Sequence, residues 1–286
     1  MSKQTEQDND VGTTGHEWDG IEELNNPLPR WWLWCFYLTI IWGIGYTIAY
    51  PAWPMINKAT AGVLGYSTRA EVAEEIAAVA TANGPINARL EAAELTDVRA
   101  DADLMQYATS AGGAVYRTWC TQCHGSGAAG AVGFPNLLDD DWLWGGDIEN
   151  IYLTIAHGIR NEEDLDSRYS EMPAYGEIFE DGEIASVVQY VKSLSGTPDD
   201  ATLVPAGQEL FLDNCAACHG ENGMGDQDLG APNLTDAIWL YGGDTDTLTE
   251  TITYSRYGVM PPWQSRLSEA EIRAVSLYVH SRGGGQ

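Results

Sequence analysis

Positive charge is what this 286-residue sequence has least of: 14 Lys and Arg stand against 42 Asp and Glu, which gives a formal net charge of −28. A nucleic-acid-binding protein needs a basic face for its phosphate contacts, so DNA and RNA are excluded as partners. Hydrophobic residues still make up 44% of the chain, and this excludes a disordered protein. Such acidity suits either a high-salt environment or an acidic surface that attracts a basic partner.

The sequence has only one long hydrophobic run. The 20 residues from Trp31 to Tyr50 carry no charge, and at about 1.5 Å per residue they would span a bilayer core of roughly 30 Å. We predict a transmembrane helix at residues 31–52, ended by Pro51. A cleaved signal peptide is the alternative, but the 30 preceding residues are acidic and no small-residue cleavage site follows the run.

Cysteine is rare as well, with five in the chain, and one of these lies in the hydrophobic run. The other four form two C-x-x-C-H motifs, Cys120-Thr-Gln-Cys123-His124 and Cys215-Ala-Ala-Cys218-His219. On a helical turn these positions share one face, so two thiols can bond to the vinyl groups of a haem while the imidazole reaches its iron. Zinc binding and a redox dithiol are the alternatives. The 91 residues between Cys123 and Cys215 are too many for a zinc ribbon, and a dithiol needs no His. We predict two covalently attached haem c groups.

The similarity between the two halves extends well beyond these motifs. Gly112 and Tyr116 match Gly207 and Phe211 at an offset of 95 residues. At an offset of 97, matching residues begin with Pro135 and Pro232 and include two Gly-Gly-Asp triplets and a Trp that precedes each. The sequence therefore contains two tandem copies of one fold. We predict cytochrome domains at residues 105–197 and 198–286.

Each copy has the same order of predicted elements: a first helix that ends in the haem motif, a Pro- and Gly-rich loop, a middle helix, a Met-Pro loop and an amphipathic last helix. The middle helices are predicted at residues 148–158 and 245–255, and the last helices at 181–194 and 268–281. This order resembles class I cytochrome c domains. We expect a mainly α fold, with one N-terminal transmembrane helix followed by two tandem class I cytochrome c domains.

The second axial ligand of each iron is predicted to be a methionine. Met172 and Met260 each precede a proline and follow the His of their own copy by 48 and 41 residues, so we expect His124 to pair with Met172 and His219 with Met260. Thioether and imidazole ligands raise the potential of the iron and suit electron transfer. His157 is a rival to Met172, and His280 is expected at the surface.

Other residues are candidates for contacts around the haems. Pro135 and Pro232 resemble the proline whose carbonyl orients the ligand imidazole in class I domains. Haem propionates could be bound by either of two matching pairs, Trp142 and Trp239 or Arg160 and Arg256. The alternative role is core packing for the tryptophans and a solvated surface position for the arginines. The first copy also has an acidic insertion at residues 161–166, predicted to be a solvated loop, with cation or partner binding as alternatives.

The rest of the chain connects these parts. Residues 1–30 are predicted to form a cytoplasmic N-terminal segment, and residues 53–104 a periplasmic helical spacer. Within the spacer, Asn83-Gly84 predicts a helix end and Pro85 a new start.

The segment from His16 to Trp32, HEWDGIEELNNPLPRWW, is similar to a signature of the dihaem subunit III (CcoP/FixP) of cbb3-type cytochrome c oxidases. The His157-Gly158-Ile159-Arg160 and Gly258-Val259-Met260-Pro261 segments are similar to that family too. The resemblance implies a subunit of a proton-pumping oxidase in the respiratory chain, held in the bacterial inner membrane by one helix, with its haem domains in the periplasm and its N-terminus in the cytoplasm.

It further implies an electron-transfer subunit that accepts electrons from a soluble cytochrome c or from the bc1 complex. Its partners would be the catalytic and monohaem cytochrome subunits. With five His in all, this chain is not expected to house the oxygen-reducing site. The alternatives are a free-standing, membrane-anchored dihaem shuttle and the cytochrome subunit of a periplasmic dehydrogenase.

Overall fold

The computed structural model describes residues 11–236 and 238–283. These residues fall into two compact units, the first of which ends at Ala82 while the second begins at Asn83. The described part of the chain is mostly helical, as the sequence predicts. Its two strands are β1 (Thr13–Trp18) and β2 (Ile21–Leu24), and its first two helices are α1 (Arg30–Ala49) and α2 (Thr68–Ala92). The second unit continues with α3 (Ala102–Val115), α4 (Thr121–His124), α5 (Ile148–His157), α6 (Asp181–Ser195), α7 (Val204–Asn214), α8 (Ala216–His219), α9 (Thr245–Tyr254) and α10 (Glu269–His280).

In the first unit, β1 and β2 form an antiparallel hairpin. Asp19 and Gly20 connect the strands, and both have a positive φ, 50° and 82°. A two-residue turn of this kind matches the twist of the strands, and Asp-Gly is a preferred sequence for it. The hairpin is not among the elements predicted above, although the Asp-Gly pair is a signal for it.

Helix α1 has the properties of a membrane anchor. It is 20 residues long, contains no buried residue, and is apolar and long enough to cross a bilayer. Its two threonines donate their hydroxyl hydrogens to backbone carbonyls three residues earlier, Thr39 to Phe36 and Thr47 to Ile44. These bonds satisfy hydroxyl groups that would otherwise be unpaired in lipid.

Helix α2 differs from the sequence prediction. The Asn83-Gly84 pair predicts a helix end, but one helix runs through both residues and through Pro85. A proline ring normally clashes with the Cβ of the residue before it. Because that residue is Gly84, this part of the clash does not arise, and the helix continues.

The second unit contains the two repeats, and their last helices are exchanged. Helix α10, from the second copy, packs on α3 of the first, whereas α6 of the first copy packs on α7 of the second. The aromatic pairs show the same exchange, because the Tyr116 ring lies 5.4 Å from Tyr278 and the Phe211 ring 5.1 Å from Tyr190. The predicted domains at residues 105–197 and 198–286 therefore do not each pack around their own last helix.

The length of the connection between α6 and α7 gives a physical reason for the exchange. Helix α6 ends at Ser195 and α7 begins at Val204. Helices joined by so short a connection usually pack against each other as antiparallel neighbours. With α6 placed on α7, α3 is left to pack with α10.

Two glycines allow these helix pairs to approach closely. A Cβ on Gly112 of α3 would lie 2.0 Å from the carbonyl oxygen of Ala274, and a Cβ on Gly207 of α7 would lie 1.9 Å from that of Ser186. These glycines occupy matching positions of the two copies, so the repeated glycine is explained by the same helix crossing in each half.

A third core joins the end of the spacer to the first copy. Leu90, Leu95 and Val98 are buried against Ala274 and Leu277 of α10.

The same segment covers His280, which is only 4% exposed and contacts the guanidinium group of Arg99. The prediction of a surface position for His280 is wrong, because the spacer packs over that end of α10.

Candidate haem sites

Both C-x-x-C-H motifs form a short helical turn at the end of a longer helix. The first, α4, follows α3 after a π-helical segment at Tyr116–Cys120. The second, α8, follows α7 directly. In each motif the first cysteine is half-buried and the second is exposed, and none of the four forms a disulfide. Burial raises the pKa of Cys120 and Cys215 to about 11, so both thiols are protonated at neutral pH.

The two histidines are held in the same orientation. The Nδ1–H of His124 donates to the carbonyl oxygen of Pro135 at 3.1 Å, and that of His219 donates to Pro232 at 3.2 Å. Because a carbonyl can only accept, each hydrogen is fixed on Nδ1 and the lone pair lies on Nε2, where a metal could bind. Burial lowers the pKa of both histidines, which favours the neutral imidazole. The predicted role of the two prolines as acceptors is confirmed.

Each methionine packs near the haem motif of the other copy, not near that of its own copy. Met260 and Cys120 pack against one buried core, and Met172 and Cys215 pack against the other. These contacts favour a pairing of His124 with Met260 and of His219 with Met172 over the expected pairs of His124 with Met172 and His219 with Met260.

Backbone contacts fix each methionine to the other copy. Met260 and Ile159 exchange two backbone hydrogen bonds, at 2.9 and 3.0 Å. Gly158 makes this pairing possible, because it has a φ of +74° and a Cβ there would lie 2.3 Å from the Met260 oxygen. In the other half, Ser255 occupies the matching position and donates its hydroxyl hydrogen to the carbonyl oxygen of Met172.

Repeated Trp and Gly-Gly-Asp residues explain the start of each middle helix. Asp147 and Asp244 are the N-caps of α5 and α9, and each accepts a backbone hydrogen bond from the third residue of its helix. Trp142 and Trp239 pack on the glycine that precedes each cap. A Cβ would meet these indole rings at 2.4 and 2.6 Å. The tryptophans thus contribute to packing, and both middle helices confirm the prediction.

One buried hydrogen-bond donor is suitably placed for a group that carries acceptor atoms. The indole Nε1–H of Trp144 is buried, with no hydrogen-bond partner among the described residues. The guanidinium groups of Arg160 and Arg168 lie 5.8 and 5.7 Å from its ring. An unpaired donor beside two cations is a suitable environment for a carboxylate such as a haem propionate.

The other half has a related arrangement. The guanidinium group of Arg256 lies 4.8 Å from the ring of Tyr241, and Tyr241 matches Trp144 in the repeat. Arg168 and Arg256 each stand four residues before a methionine and contact a matching threonine, Thr154 or Thr251. Arg168 is not among the candidates predicted from the sequence, which include Arg160 instead. The Met-Pro loops are 88 residues apart, and this offset relates Arg168 to Arg256. The sequence therefore contains a signal that identifies Arg168.

His157 and the acidic insertion contact each other. The His157 Nδ1 lies 3.1 Å from Asp164 Oδ2, and Gln264 donates to the same carboxylate at 2.5 Å. The insertion is therefore ordered against its neighbours rather than only solvated. Ligand atoms of His157, Asp164 and Asp166 all lie within 4.8 Å of one another. This contact gives His157 a hydrogen-bonding role within the insertion.

Together, an apolar N-terminal helix and two tandem cytochrome c domains define a membrane-anchored cytochrome of the c type. Family models agree with this class. Residues 10–57 match the N-terminal domain of cytochrome oxidase-cbb3, FixP, and residues 108–191 and 202–279 each match cytochrome c oxidase, cbb3-type, subunit III.

Curated relatives are similar over nearly the whole chain. The cbb3-type cytochrome c oxidase subunit CcoP of Cereibacter sphaeroides is 62% identical over 276 residues, which cover 96% of this chain and 95% of that protein. Subunit CcoP of Rhodobacter capsulatus is 56% identical over the full length of both chains. Subunit FixP of Bradyrhizobium diazoefficiens is 52% identical over 96% of this chain and 95% of that protein. The chain belongs to the CcoP/FixP family, subunit III of the cbb3-type cytochrome c oxidases, which confirms the resemblance found in the sequence.

Proposed function

We propose that this subunit carries electrons from a periplasmic donor, a soluble cytochrome c or the bc1 complex, to the catalytic subunit of the oxidase. The observation that carries the proposal is the pair of similar sites in one unit, each with a C-x-x-C-H turn, a proline-oriented imidazole and a methionine. Haem c bound there would supply an iron that cycles between two oxidation states by one electron.

We propose that Cys120, Cys123, Cys215 and Cys218 hold two haem c groups through thioether bonds. His124 Nε2 and Met260 are the proposed axial ligands in one site, and His219 Nε2 and Met172 those in the other. The Pro135 and Pro232 carbonyls hold the hydrogen on Nδ1, which leaves Nε2 available, and they fix the orientation of each ring. Trp144, Arg160 and Arg168 are suited to bind propionates.

Oxygen reduction is assigned to a partner subunit. The whole chain has five histidines. Two are proposed haem ligands, His280 is buried against Arg99, and His157 is bonded to Asp164. Too few remain for a haem–copper centre, so this subunit works as the electron-transfer part of the enzyme.

The proposed orientation follows from the covalent haem. In bacteria this attachment is made outside the cytoplasm, as in the c-type cytochromes that the motifs resemble. We therefore place residues 53–286 in the periplasm, α1 in the inner membrane and the N-terminal segment in the cytoplasm.

The acidic surface favours a positively charged electron donor. Residues 101–286 carry 29 acidic and 8 basic residues, which accounts for −21 of the net charge. Such a field speeds the approach of a positively charged protein, and salt screens it. Turnover with a basic donor should therefore fall steeply with ionic strength. A flat response would assign the acidity to adaptation to salt.

Extraction in mild detergent tests the main proposal against its alternatives. If the proposal is correct, b-type haem and copper co-purify with this chain in a constant ratio. A dihaem protein that runs alone would support the free-standing shuttle. Co-purification with a substrate-oxidising periplasmic subunit would support the dehydrogenase.

A further inference from the structure

Arg160 lies between the two loops that carry the methionines. Its Nε donates to the carbonyl oxygen of Ser170 at 2.5 Å, and its Nη1 donates to that of Gly258 at 3.1 Å. Ser170 stands two residues before Met172, and Gly258 stands two residues before Met260. One guanidinium group therefore bonds to the same position of both loops.

The backbone beside Arg160 also bonds to both loops. Ile159 forms a bridge to Met260 on one side and a bridge to Arg168 on the other. The amide of Arg160 itself donates to the carbonyl oxygen of Arg168 at 2.8 Å, and Arg168 stands four residues before Met172. The segment that carries Arg160 thus runs between the two loops, and its position is fixed from both sides.

Arg160 has a backbone conformation that is uncommon for a residue with a side chain. Its φ is +51°, in the left-handed region that glycine adopts most readily. Residues in such conformations persist where the surrounding contacts fix them, and they are frequent at functional sites. A glycine would relieve this strain, but it would lose both hydrogen bonds of the guanidinium group.

The second copy has a different residue at the position of Arg160. At the offset of 97 residues Arg160 matches Tyr257, and its guanidinium group lies 5.6 Å from the Tyr257 ring. The two matching side chains therefore contact each other, and a single arginine serves both copies. Among the described residues Arg160 forms no ion pair with a carboxylate, so the two backbone carbonyls are the acceptors that orient it.

We propose that Arg160 is a positioning residue for both axial methionines. The inference rests on the proposed function, in which Met260 and Met172 ligate the two irons. A methionine side chain is unbranched and flexible, so its loop must hold the sulfur at the iron. Because the planar guanidinium group has donors at fixed positions, it restrains both loops at once.

Competition with imidazole measures how firmly each methionine is held. Imidazole is a good ligand of iron, and it displaces a thioether more easily when the loop is loose. The full-length dihaem chain is oxidised, and its sulfur-to-iron absorption is followed as imidazole is added. Neutral imidazole and the thioether carry no charge, so removal of the arginine's charge does not itself shift the exchange. A change at both haems moves the whole titration curve, whereas a change at one haem moves half of it.

Another arginine provides a matched control. Arg273 is half-buried like Arg160, and it also donates to two backbone carbonyls, those of Leu90 and Ala93, away from either methionine loop. We expect Arg160→Gln to move the whole titration to about tenfold lower imidazole, since each loop loses a hydrogen bond from a charged donor. Arg273→Gln should lower the melting temperature and leave the titration unchanged.

An unchanged titration with Arg160→Gln would overturn the inference, as would an equal shift with Arg273→Gln. A shift in only half of the curve would overturn it too, because Arg160 would then act on one haem alone, as a contact to a single propionate would. Failure of the proposed function has a different signature: the unaltered dihaem chain would show no sulfur-to-iron absorption before imidazole is added.

If Arg160→Gln does not take up haem, Arg160→Lys replaces it. Lysine keeps the charge, but its ammonium group has one position for its donors where the guanidinium group has several. The whole curve should again move to lower imidazole, by a smaller factor. An unchanged curve, or a shift in half of it, would overturn the inference.

Discussion

Replacement of Gly112 by alanine should separate the helices that close the first haem site. The new Cβ would lie 2.0 Å from the Ala274 carbonyl oxygen and 2.9 Å from the Cβ of Tyr278. Because such contacts normally exceed about 3 Å, α3 and α10 must move apart by roughly 1 Å. Overpacking of this kind costs about 1–3 kcal/mol. We expect a net loss of about 2 kcal/mol in the free energy of unfolding and a melting temperature lower by roughly 4–8 °C.

Two further variants make this prediction specific. Gly207→Ala should be as damaging, because its Cβ would lie 1.9 Å from the Ser186 oxygen. Gly182 lies in α6, and a Cβ on this residue would have no atom within 4 Å, so Gly182→Ala should be neutral or stabilise the chain by up to about 1 kcal/mol. Thermal unfolding of the haem-loaded chain, followed by circular dichroism, measures all three. A melting temperature for Gly112→Ala equal to that of Gly182→Ala would refute the close helix crossing.

Two other changes test the surroundings of the sites. Burial, followed by the charge of Asp236, raises the pKa of Asp141 to about 6 from 3.8, so the folded chain should lose stability as the pH rises through this window. Asp141→Asn should therefore raise the free energy of unfolding by about 1–2 kcal/mol at pH 7 and by clearly less at pH 4, near the ordinary pKa of the carboxyl group; equal effects at both pH values in denaturant titrations would contradict this. Gly158→Ala should displace Met260 and weaken one of the two sulfur-to-iron absorption bands, whereas Gly65→Ala, which has a similar φ of +61° and no atom within 4 Å, should leave both unchanged. Two intact bands in Gly158→Ala would contradict the contact.

Local features of the sites could be predicted from the sequence because they depend on short segments. The C-x-x-C-H turns, the proline carbonyls and the middle helices need only nearby residues. The same holds for α1, whose length and lack of charge define it. The hairpin also has a local signal, the Asp19-Gly20 pair, so its position could have been predicted from the sequence as well.

The exchange of the last helices could not be predicted from the repeat alone. The two copies carry the same glycine and aromatic positions, so either last helix can complete either first helix. What decides between the arrangements is the connection from Ser195 to Val204, a property of the chain path rather than of the pattern. Burial of His280 depends likewise on a distant segment, the spacer that contains Arg99.

The central claim is that each haem iron takes its histidine from one copy and its methionine from the other. The direct test removes the first attachment site with Cys120→Ser and Cys123→Ser, so that one haem remains on Cys215 and Cys218, and then replaces one methionine at a time. The sulfur-to-iron absorption band of the remaining haem should vanish with Met172→Ala and persist with Met260→Ala. Loss of the band with Met260→Ala and its persistence with Met172→Ala would contradict the account.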